Sequence, residues 1–430
     1  MIARWLPLIP AMLWLAACGG GAPGEIVEDA GSLPMPPRGP VADVEAVDTV
    51  VVAGNGRGEL VMAWSTGEAL GVAAFREPIW QDPPLILGER GALHESTLVL
   101  GVLDANRRLL LSQGEEVRSY RPDDTVDWAE QLISDMWFFV PAFGWNEAWA
   151  VYQQGRAIPA LARYDFEQDE WTFVAELPAP PHTRRNQPAL AVAGDGAVVV
   201  AYLGGDDGGE GALAVGGRRL QVARFDPQTE QWGEAMRFET GAVQPVLCAE
   251  GRVLLWSRLD PDGARLFWSR DLGGGRWSPP ESLQVRVGNF ASLRCVADDR
   301  GRVLAVWLSI DTEGGRTVWA AYFDGVDWSV PESLARADAY DAAVADRIEL
   351  AGQIDGEAVV IYHRAGENDN QIWSRRFRPA EGWGRPRQVT DCCAPGRVAM
   401  DGRGMAAVVW LNRQGVPWWS RLEVVAGEFP

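Results

Sequence analysis

Three histidines, His94, His182 and His363, are the first candidates for chemistry, because imidazole is a common general base and metal ligand. His94 and His182 each precede the first strand of a predicted repeat. His363 opens a loop between the second and third strands of another repeat. Since successive antiparallel strands place these loops on one side, the three imidazoles are expected on one face of the domain. Solvated loop histidines are the alternative interpretation.

Acidic loops between predicted strands form a second candidate group. Asp206 with Asp207, and Asp311 with Glu313, supply hard oxygen ligands of the kind that suit Ca²⁺. However, none of these loops has alternating D-x-D-x-D-G spacing, and the same residue types populate tight turns. We expect no required cofactor, with calcium as a secondary possibility and an acidic face for a cationic partner as another.

A third group consists of polar segments that interrupt the repeat, since a binding site requires a break in symmetry. One segment is basic within an acidic protein, and its side chains are candidates for contacting a carboxylated or sulfated partner. The candidate binding residues are His182, Arg184, Arg185, Asn186, Gln187, Asn368 and Asp369. Asp391 and the two cysteines that follow it are another non-repeated segment on the same predicted face. The alternative is that Arg184 and Arg185 pair with neighbouring acidic loops.

The five cysteines divide into one near the N-terminus, Cys18, and four in the repeat region. Cys248 and Cys295 fall in first strands of neighbouring repeats, so they are expected side by side. Cys392 and Cys393 are adjacent, and each could bridge the other or pair elsewhere. An even number of cysteines in an oxidising compartment indicates disulfides. The absence of C-x-x-C spacing argues against a zinc site.

Composition excludes several kinds of function. All 39 basic residues are arginine, so Schiff-base lysines and phosphate-loop lysines are excluded. The net charge of −20 disfavours nucleic-acid binding. The sequence contains neither a G-x-S-x-G elbow nor an H-E-x-x-H motif.

The elements that must position these residues are set by a repeat of four β-rich segments. A tryptophan leads the fourth segment at intervals of about 50 residues, at Trp80, Trp128, Trp171, Trp232, Trp277, Trp328 and Trp383. Short β-branched runs bounded by Gly and Asp indicate strands rather than helices. Four strands per period predict an all-β fold, a β-propeller of four-stranded antiparallel blades.

Counting hairpins gives eight blades, with seven as the alternative if the divergent second repeat is not a blade. The last repeat, Val398–Val425, stops after its third strand. A segment from the other terminus must therefore complete it, and Pro40–Val47 is the predicted strand.

Arginines that recur at one place in the third strand are predicted to be scaffold, stacked on neighbouring aromatic rings. They are Arg163, Arg224, Arg270, Arg375 and Arg421. The tryptophans of the fourth segments are likewise predicted to pack between blades.

Individual repeats resemble two known families of repeats. Tyr164-Asp165 before Trp171 resembles a kelch repeat, as does Phe225-Asp226-Pro227 before Trp232. Ser269-Arg270-Asp271-Leu272-Gly273 before Trp277 is similar to the Asp-box of sialidase-like repeats, although the tryptophan falls one residue late.

The N-terminus predicts export and anchoring. An apolar segment ends at Leu15-Ala16-Ala17-Cys18, which resembles the lipobox of bacterial lipoproteins, where the cysteine is lipidated. Residues 1–18 are therefore expected to be a signal peptide, 19–40 a flexible Gly/Pro-rich tether, and 41–430 one propeller domain. By resemblance, Gly19 implies a cell-envelope protein of the outer membrane, facing the periplasm or the cell surface, if the cell is Gram-negative.

These observations predict a monomeric, lipid-anchored, non-catalytic module that binds a protein or glycan partner, with the membrane reached only through the lipid. The alternative is a carbohydrate-active enzyme, a sialidase-like glycosidase or a lyase. That enzyme would need two carboxylates facing each other across the propeller pit, roughly 5–9.5 Å apart in a glycosidase.

Overall fold

The computed structural model describes residues 35–36, 38–41, 46–54, 60–66, 69–76, 79–80, 85–89, 99–103, 108–113, 116–120, 128–132, 136–143, 147–154, 158–165, 168, 170–178, 188–205, 218–260, 263–337, 347–365, 370–392, 395–425 and 428–429. Among them, no helix is long and apolar enough to cross a membrane.

The described strands form eight antiparallel sheets, numbered I to VIII in chain order. Sheet I contains β2 (Thr49–Gly54), β3 (Leu60–Ser65), β4 (Ala69–Arg76), β5 (Ile79–Trp80) and β6 (Leu85–Glu89). Sheet II contains β7 (Val99–Leu103), β8 (Arg108–Gln113), β9 (Glu116–Tyr120) and β10 (Trp128–Leu132). Sheet III contains β11 (Met136–Phe143), β12 (Ala148–Gln154), β13 (Ala160–Asp165) and β14 (Glu170–Glu176). Sheet IV contains β15 (Ala189–Val192), β16 (Val198–Gly205), β17 (Arg218–Asp226), β18 (Gln231–Trp232) and β19 (Met236–Thr240).

The remaining four sheets follow the same plan. Sheet V contains β20 (Ala242–Cys248), β21 (Val253–Asp260), β22 (Gly263–Arg270) and β23 (Glu281–Val287). Sheet VI contains β24 (Asn289–Ala297), β25 (Val303–Ile310), β26 (Arg316–Phe323) and β27 (Glu332–Ala337). Sheet VII contains β28 (Glu349–Gly352), β29 (Ala358–Ala365), β30 (Asn370–Arg378), β31 (Gly382–Trp383) and β32 (Arg387–Thr390). Sheet VIII contains β33 (Gly396–Met400), β34 (Ala406–Leu411), β35 (Pro417–Leu422) and β1 (Arg38–Pro40).

The first strands of the sheets contact one another in a closed series. In order, β2 contacts β7, then β11, β15, β20, β24, β28 and β33 follow, and β33 contacts β2 again. Each sheet therefore extends outward from an inner strand, and the sheets surround a common axis. This arrangement is a β-propeller, as the repeat predicts.

The core is built on the second strands, which are buried on both faces because a neighbouring sheet covers each side. Strand β25 is buried along nearly its whole length, and its sequence is an almost continuous apolar run. In seven of the sheets, the second strand carries an aromatic side chain that is at most 2% exposed. These residues are Trp64, Trp149, Tyr202, Trp256, Trp307, Tyr362 and Trp410.

Tryptophans of the fourth strands also pack between sheets, which confirms their predicted role. Trp328 lies with its ring centroid 5.9 Å from that of Trp268 in sheet V. Trp80 lies 5.8 Å from Trp419 in sheet VIII. In sheet IV the fourth element has two pieces, since β18 at Trp232 and the longer β19 both pair with β17.

Two of the recurrent arginines stack as predicted. The Arg163 guanidinium lies 5.6 Å from the centroid of the Trp149 ring, and that of Arg375 lies 5.9 Å from Trp383. Arg224 pairs instead with Asp195 of the preceding turn. These contacts belong to the scaffold.

The N-terminal segment closes the last sheet, although with different residues from those predicted. Arg38–Pro40 forms β1 and pairs with β35, within the stretch predicted to be tether. Of the predicted strand, Pro40–Val47, residues 42–45 lie outside the described residues. Val41 and Val47 donate backbone hydrogen bonds to Pro417 O and Gly415 O, both 2.9 Å long. Both valine side chains are at most 5% exposed and pack against sheets I and VIII.

The two cysteines that lie in neighbouring first strands form a disulfide. Cys248 ends β20 and Cys295 lies in β24, with their Cα atoms 6.1 Å apart. The bond links sheets V and VI at their inner strands. Cys392 is also disulfide-bonded, to a cysteine outside the described residues.

Candidate functional site

A cavity of about 660 Å³ lies between sheets VII and VIII, and we call it the seam pocket. It is lined by Arg38, Gln371, Thr390, Asp391, Cys392, Trp410, Asn412, Arg413, Gln414 and Trp418. Its volume is in the range of about 300–1,000 Å³ that is typical of small-ligand pockets. It lies where the N-terminal strand joins the last sheet, so its lining is not repeated around the ring.

Two connections supply five of these ten residues. Asp391 and Cys392 follow β32, in the connection that leads to the first strand of sheet VIII. Asn412 to Gln414 form the turn between β34 and β35. Both kinds of connection lie on one face of the ring. This is the face on which the sequence predicts Asp391 and Cys392.

One wall of the pocket is held by Arg38, which reaches from β1 to the connection after β32. Its Nη1 atom donates to Asp391 Oδ1 at 2.9 Å and to Thr390 Oγ1 at 3.3 Å. The hydrogen bond from Arg38, with the positive charges of Arg38 and Arg413, holds the pKa of the Asp391 carboxyl below its ordinary value. Asp391 is therefore a carboxylate at neutral pH, paired with the strand that closes the ring.

The opposite rim is a tight turn organised by Asn412. Its Oδ1 atom accepts from the backbone N–H groups of Gln414 and Val416, both at 2.9 Å. Asn412 N also donates to Val416 O at 2.9 Å. The turn leaves the side chains of Arg413 and Gln414 exposed at the mouth of the pocket.

The aromatic part of the lining comes from a cross-strand pair in sheet VIII. Trp410 and Trp418 lie opposite each other in β34 and β35. Trp410 is 1% exposed and belongs to the core, whereas Trp418 is partly exposed. In sheet VII, Gln371 Oε1 accepts from Trp373 Nε1 at 2.9 Å, which fixes the amide at the edge of the pocket.

A charged cluster lies on three consecutive inner strands, nearer to the axis. Glu349 of β28 pairs with Arg397 of β33, and its Oε2 atom lies 4.0 Å from Nε of Arg294 in β24. The cluster places one carboxylate between two guanidinium groups. It ties together sheets VI, VII and VIII, but it does not provide the two facing carboxylates of a glycosidase.

The position of His363 differs from the predicted one. It lies inside β29, which extends to Ala365, and its side chain is only 6% exposed. The predicted solvated loop position is wrong, because the second strand continues beyond Tyr362 and carries His363 into the contact with sheet VI. There it lines a cavity of about 10 Å³ with Arg316, Arg336 and Arg347, which is room for about one water molecule.

Asp311 and Glu313 lie in the turn between β25 and β26. Asp311 Oδ1 accepts from the backbone N–H groups of Glu313 at 2.9 Å and Gly315 at 2.7 Å. Asp311 Oδ2 lies 3.8 Å from Nη2 of Arg336. Among the described residues, no group of three or more His, Cys, Asp or Glu side chains is arranged to hold a metal ion.

Most of the other candidates lie outside the described residues. These are Cys18, His94, His182, Arg184, Arg185, Asn186, Gln187, Asp206, Asp207, Asn368, Asp369 and Cys393. Their proposed roles remain predictions from the sequence.

Sequence reasoning missed Arg38, Trp418 and the turn at Arg413. The signal for the turn was present, because Asn412-Arg413-Gln414-Gly415 is shorter than the acidic loops at the same place in earlier repeats and contains no acid. Arg38 had no such signal, since it reaches the pocket only through closure of the ring.

No family model matches this chain, and no curated protein matches it in sequence. The resemblance to kelch and sialidase-like repeats therefore stays a prediction. Solved structures do match. The WD40 domain of SCAP from fission yeast gives a TM-score of 0.53 at 11% identity, over 90% of this chain and 98% of that chain.

Two further structures show the same likeness. A polysaccharide lyase of family PL25, an ulvan lyase bound to -[GlcA(1-4)Rha3S]-, gives a TM-score of 0.50 at 12% identity, over 91% of this chain and 96% of that chain. Hsv2 from Kluyveromyces lactis gives 0.45 at 11% identity, over 82% and 98%. At these identities the likeness shows the fold alone. The protein is a β-propeller, and its function must be argued from its own site.

Proposed function

We propose that this protein is a lipid-anchored, extracytoplasmic β-propeller of eight blades that acts as a non-catalytic binding module. It holds part of a protein or glycan partner in the seam pocket. The observation that carries the proposal is the pocket itself: a cavity of about 660 Å³ at the one junction where the N-terminal strand breaks the symmetry of the ring.

The closed series of inner strands supports the eight-blade count, because each of the eight described sheets contributes one strand to it. The lipobox-like segment ending at Cys18 supports anchoring in the cell envelope. The Cys248–Cys295 disulfide supports an oxidising compartment, although weakly. If the cell is Gram-negative, the protein is proposed to lie at the outer membrane, facing the periplasm or the cell surface.

The chemistry of the lining favours binding over catalysis. Within the described part of the lining, Asp391 is the only carboxylate, and its lowered pKa keeps it ionised rather than ready to donate a proton. Hydrolysis of a glycoside requires a general acid together with a second carboxylate. Aromatic, amide and guanidinium groups, by contrast, are the groups that dominate recognition surfaces.

The test is retention of the purified full-length protein on a panel of immobilised glycans and envelope proteins. We expect Trp418→Ala to abolish retention on the ligand that the seam pocket binds, because the substitution removes the partly exposed indole that lines the pocket. Trp319→Ala is the matched control, since Trp319 faces Trp307 in sheet VI as Trp418 faces Trp410 in sheet VIII.

Melting temperatures of both variants establish that they are folded, and Arg413→Gln provides a second pocket variant at an exposed side chain. Retention that survives both pocket variants would place the site elsewhere. Mass spectrometry of the recovered ligand should find it unchanged. Shortened or unsaturated products would instead establish the glycosidase or lyase alternative.

A further inference from the structure

A buried arginine, Arg376 of β30, joins sheets VII and VIII on the face of the ring opposite to the seam pocket. Its side chain is 2% exposed, and it pairs with Glu357 in the turn between β28 and β29. Its Nη1 atom donates to Gly404 O at 2.8 Å and its Nη2 atom to Leu422 O at 2.7 Å, both in sheet VIII. A charge so far from water is stable only when it is well paired.

The segment that follows β35 supplies a second carboxylate to this arginine. Glu428 is 5% exposed, and its Oε1 atom lies 3.5 Å from Arg376 Nε. Its Oε2 atom accepts from Val425 N at 3.1 Å. Burial lowers the pKa of Arg387 in β32, and the Glu428 carboxylate opposes that shift by favouring the charged guanidinium. The carboxylate is therefore buried and interacts with two arginines of sheet VII.

The next residue, Phe429, is also held by a side chain of sheet VII. The Arg378 guanidinium lies 4.8 Å from the centroid of the phenyl ring. Arg378 Nε lies 3.4 Å from Glu357 Oε2, so the carboxylate that pairs with Arg376 also positions this second arginine. A cation over an aromatic face is a favourable contact. Acid and ring are thus bound by neighbouring arginines.

One backbone hydrogen bond completes the attachment, since Arg385 N donates to Glu428 O at 2.7 Å. The chain passes so close to Gly384 that a Cβ atom there would come within 3.1 Å of Glu428 Cγ. The described residues after Leu422 belong to no strand. The segment is therefore held like a bound peptide, by side-chain contacts and a local backbone bond. We call its binding surface the arginine socket, formed by Arg376, Arg378, Gly384, Arg385 and Arg387.

We propose that the arginine socket is a binding site for an acidic-aromatic peptide, a glutamate followed by a phenylalanine, and that its resident ligand is the chain's own Glu428-Phe429. Arg376 and Arg387 recognise the glutamate, and Arg378 recognises the phenylalanine. Because the attachment is local, the same two side chains on a separate peptide bind the socket once the resident segment is displaced. No socket residue lines the seam pocket, so this site and the proposed function are tested separately.

The first experiment measures hydrogen exchange of two neighbouring amides in the full-length protein. Arg385 N donates to Glu428 O across the site. Gly384 N donates to Arg376 O at 2.7 Å within sheet VII and is the internal control. In the double variant Glu428→Ala, Phe429→Ala we expect the first amide to exchange at least roughly tenfold faster and the second to stay unchanged, because only the resident segment is released.

The second experiment returns the segment as a separate molecule. A fluorescent peptide of residues 423–430 is titrated into the full-length double variant up to about 1 mM, the order of effective concentration that a short tether gives a linked ligand. We expect it to bind at least roughly tenfold more tightly than to wild type, where the resident segment competes.

Peptide variants identify the groups that are recognised. Peptides with Glu428→Gln or Phe429→Ala should each bind at least roughly threefold more weakly than the unaltered peptide, because each lacks one recognised group. Glu423→Gln is the matched control, since the Glu423 carboxylate is exposed and pairs with Arg421 of its own strand end. A peptide with this change should bind as the unaltered one does.

Equal exchange of the Arg385 amide in wild type and double variant would overturn the proposal, because the segment would then not be held in the socket. A folded double variant that fails to bind the peptide overturns it as well, and so does binding that is insensitive to Glu428→Gln and Phe429→Ala. If the double variant does not fold, Arg378→Ala takes its place, since that side chain is 30% exposed. Unaltered exchange at Arg385 in that variant would likewise overturn the proposal.

Discussion

At the scale of single residues, a buried aromatic side chain in a second strand restricts what its cross-strand partner can be. Trp64 lies opposite Gly71 in β4, where a Cβ atom would come within 2.3 Å of the indole Cε2 atom. Elsewhere Trp149 lies opposite Arg163, and Trp410 lies opposite Trp418. The third-strand residue opposite a buried aromatic therefore differs among sheets that are built on the same plan.

We predict that Gly71→Ala lowers the free energy of unfolding by about 1–3 kcal/mol, as overpacking of a filled core generally does. The added methyl group has no space beside the Trp64 ring. Gly39→Ala in β1 is the matched control, because a Cβ there has nothing within 4 Å. Chemical denaturation measures both, and an equal effect of the two substitutions would show that the indole can move aside.

At the scale of elements, much of the fold could be predicted from the sequence. Second strands were identified because their apolar runs are long, β-branched and bounded by Gly/Asp turns, as in Val198–Gly205. The local pattern predicts the ends of these strands too early, and for this reason it predicts a loop at His363. The residue at which a strand ends depends on how far that strand pairs with the next strand. The local sequence pattern carries no information about this pairing.

The pocket could not be predicted in the same way. Arg38 and Asp391 are 353 positions apart, and β1 has the sequence Arg-Gly-Pro, which carries no strand signal of its own. Its extended conformation is imposed by the free edge of β35. The sequence identifies Asp391 and Cys392 as non-repeated. However, the side chains opposite them come from the junction of the N-terminal strand with sheet VIII, and not from their own repeat.

The disulfide between β20 and β24 yields a prediction at this scale. Its cysteines are 47 positions apart, and cross-linking a loop of that size should stabilise the fold by about 4 kcal/mol through the unfolded chain. The double variant Cys248→Ala, Cys295→Ala should be less stable by that amount under oxidising conditions. With reductant, wild type and variant should unfold at nearly the same denaturant concentration. A difference that persists after reduction would assign the effect to packing.

At the scale of the whole molecule, ring closure depends on a short N-terminal segment. Deleting residues 38–47 removes β1 together with Val41 and Val47, each of which contributes about 1.5–3 kcal/mol when fully buried. We expect a loss of about 3–6 kcal/mol and association through the exposed edge of β35. Deleting residues 22–34 is the control, and it should leave the melting temperature unchanged. Equal melting temperatures for the two deletions would show that the ring does not depend on this segment.

The pairing of β1 with β35 also has a consequence for the order of events during biosynthesis. β1 is synthesised long before its partner β35, so its three residues wait until the strands of sheets I to VIII have been made before they have a sheet to join. Pairings this distant in sequence are slow to form, because many residues must be ordered before the contact is made. The seam pocket comes into existence only at that final step. A newly made molecule therefore acquires the proposed ligand site when the ring closes, and under the proposed function ligand binding would report completed maturation.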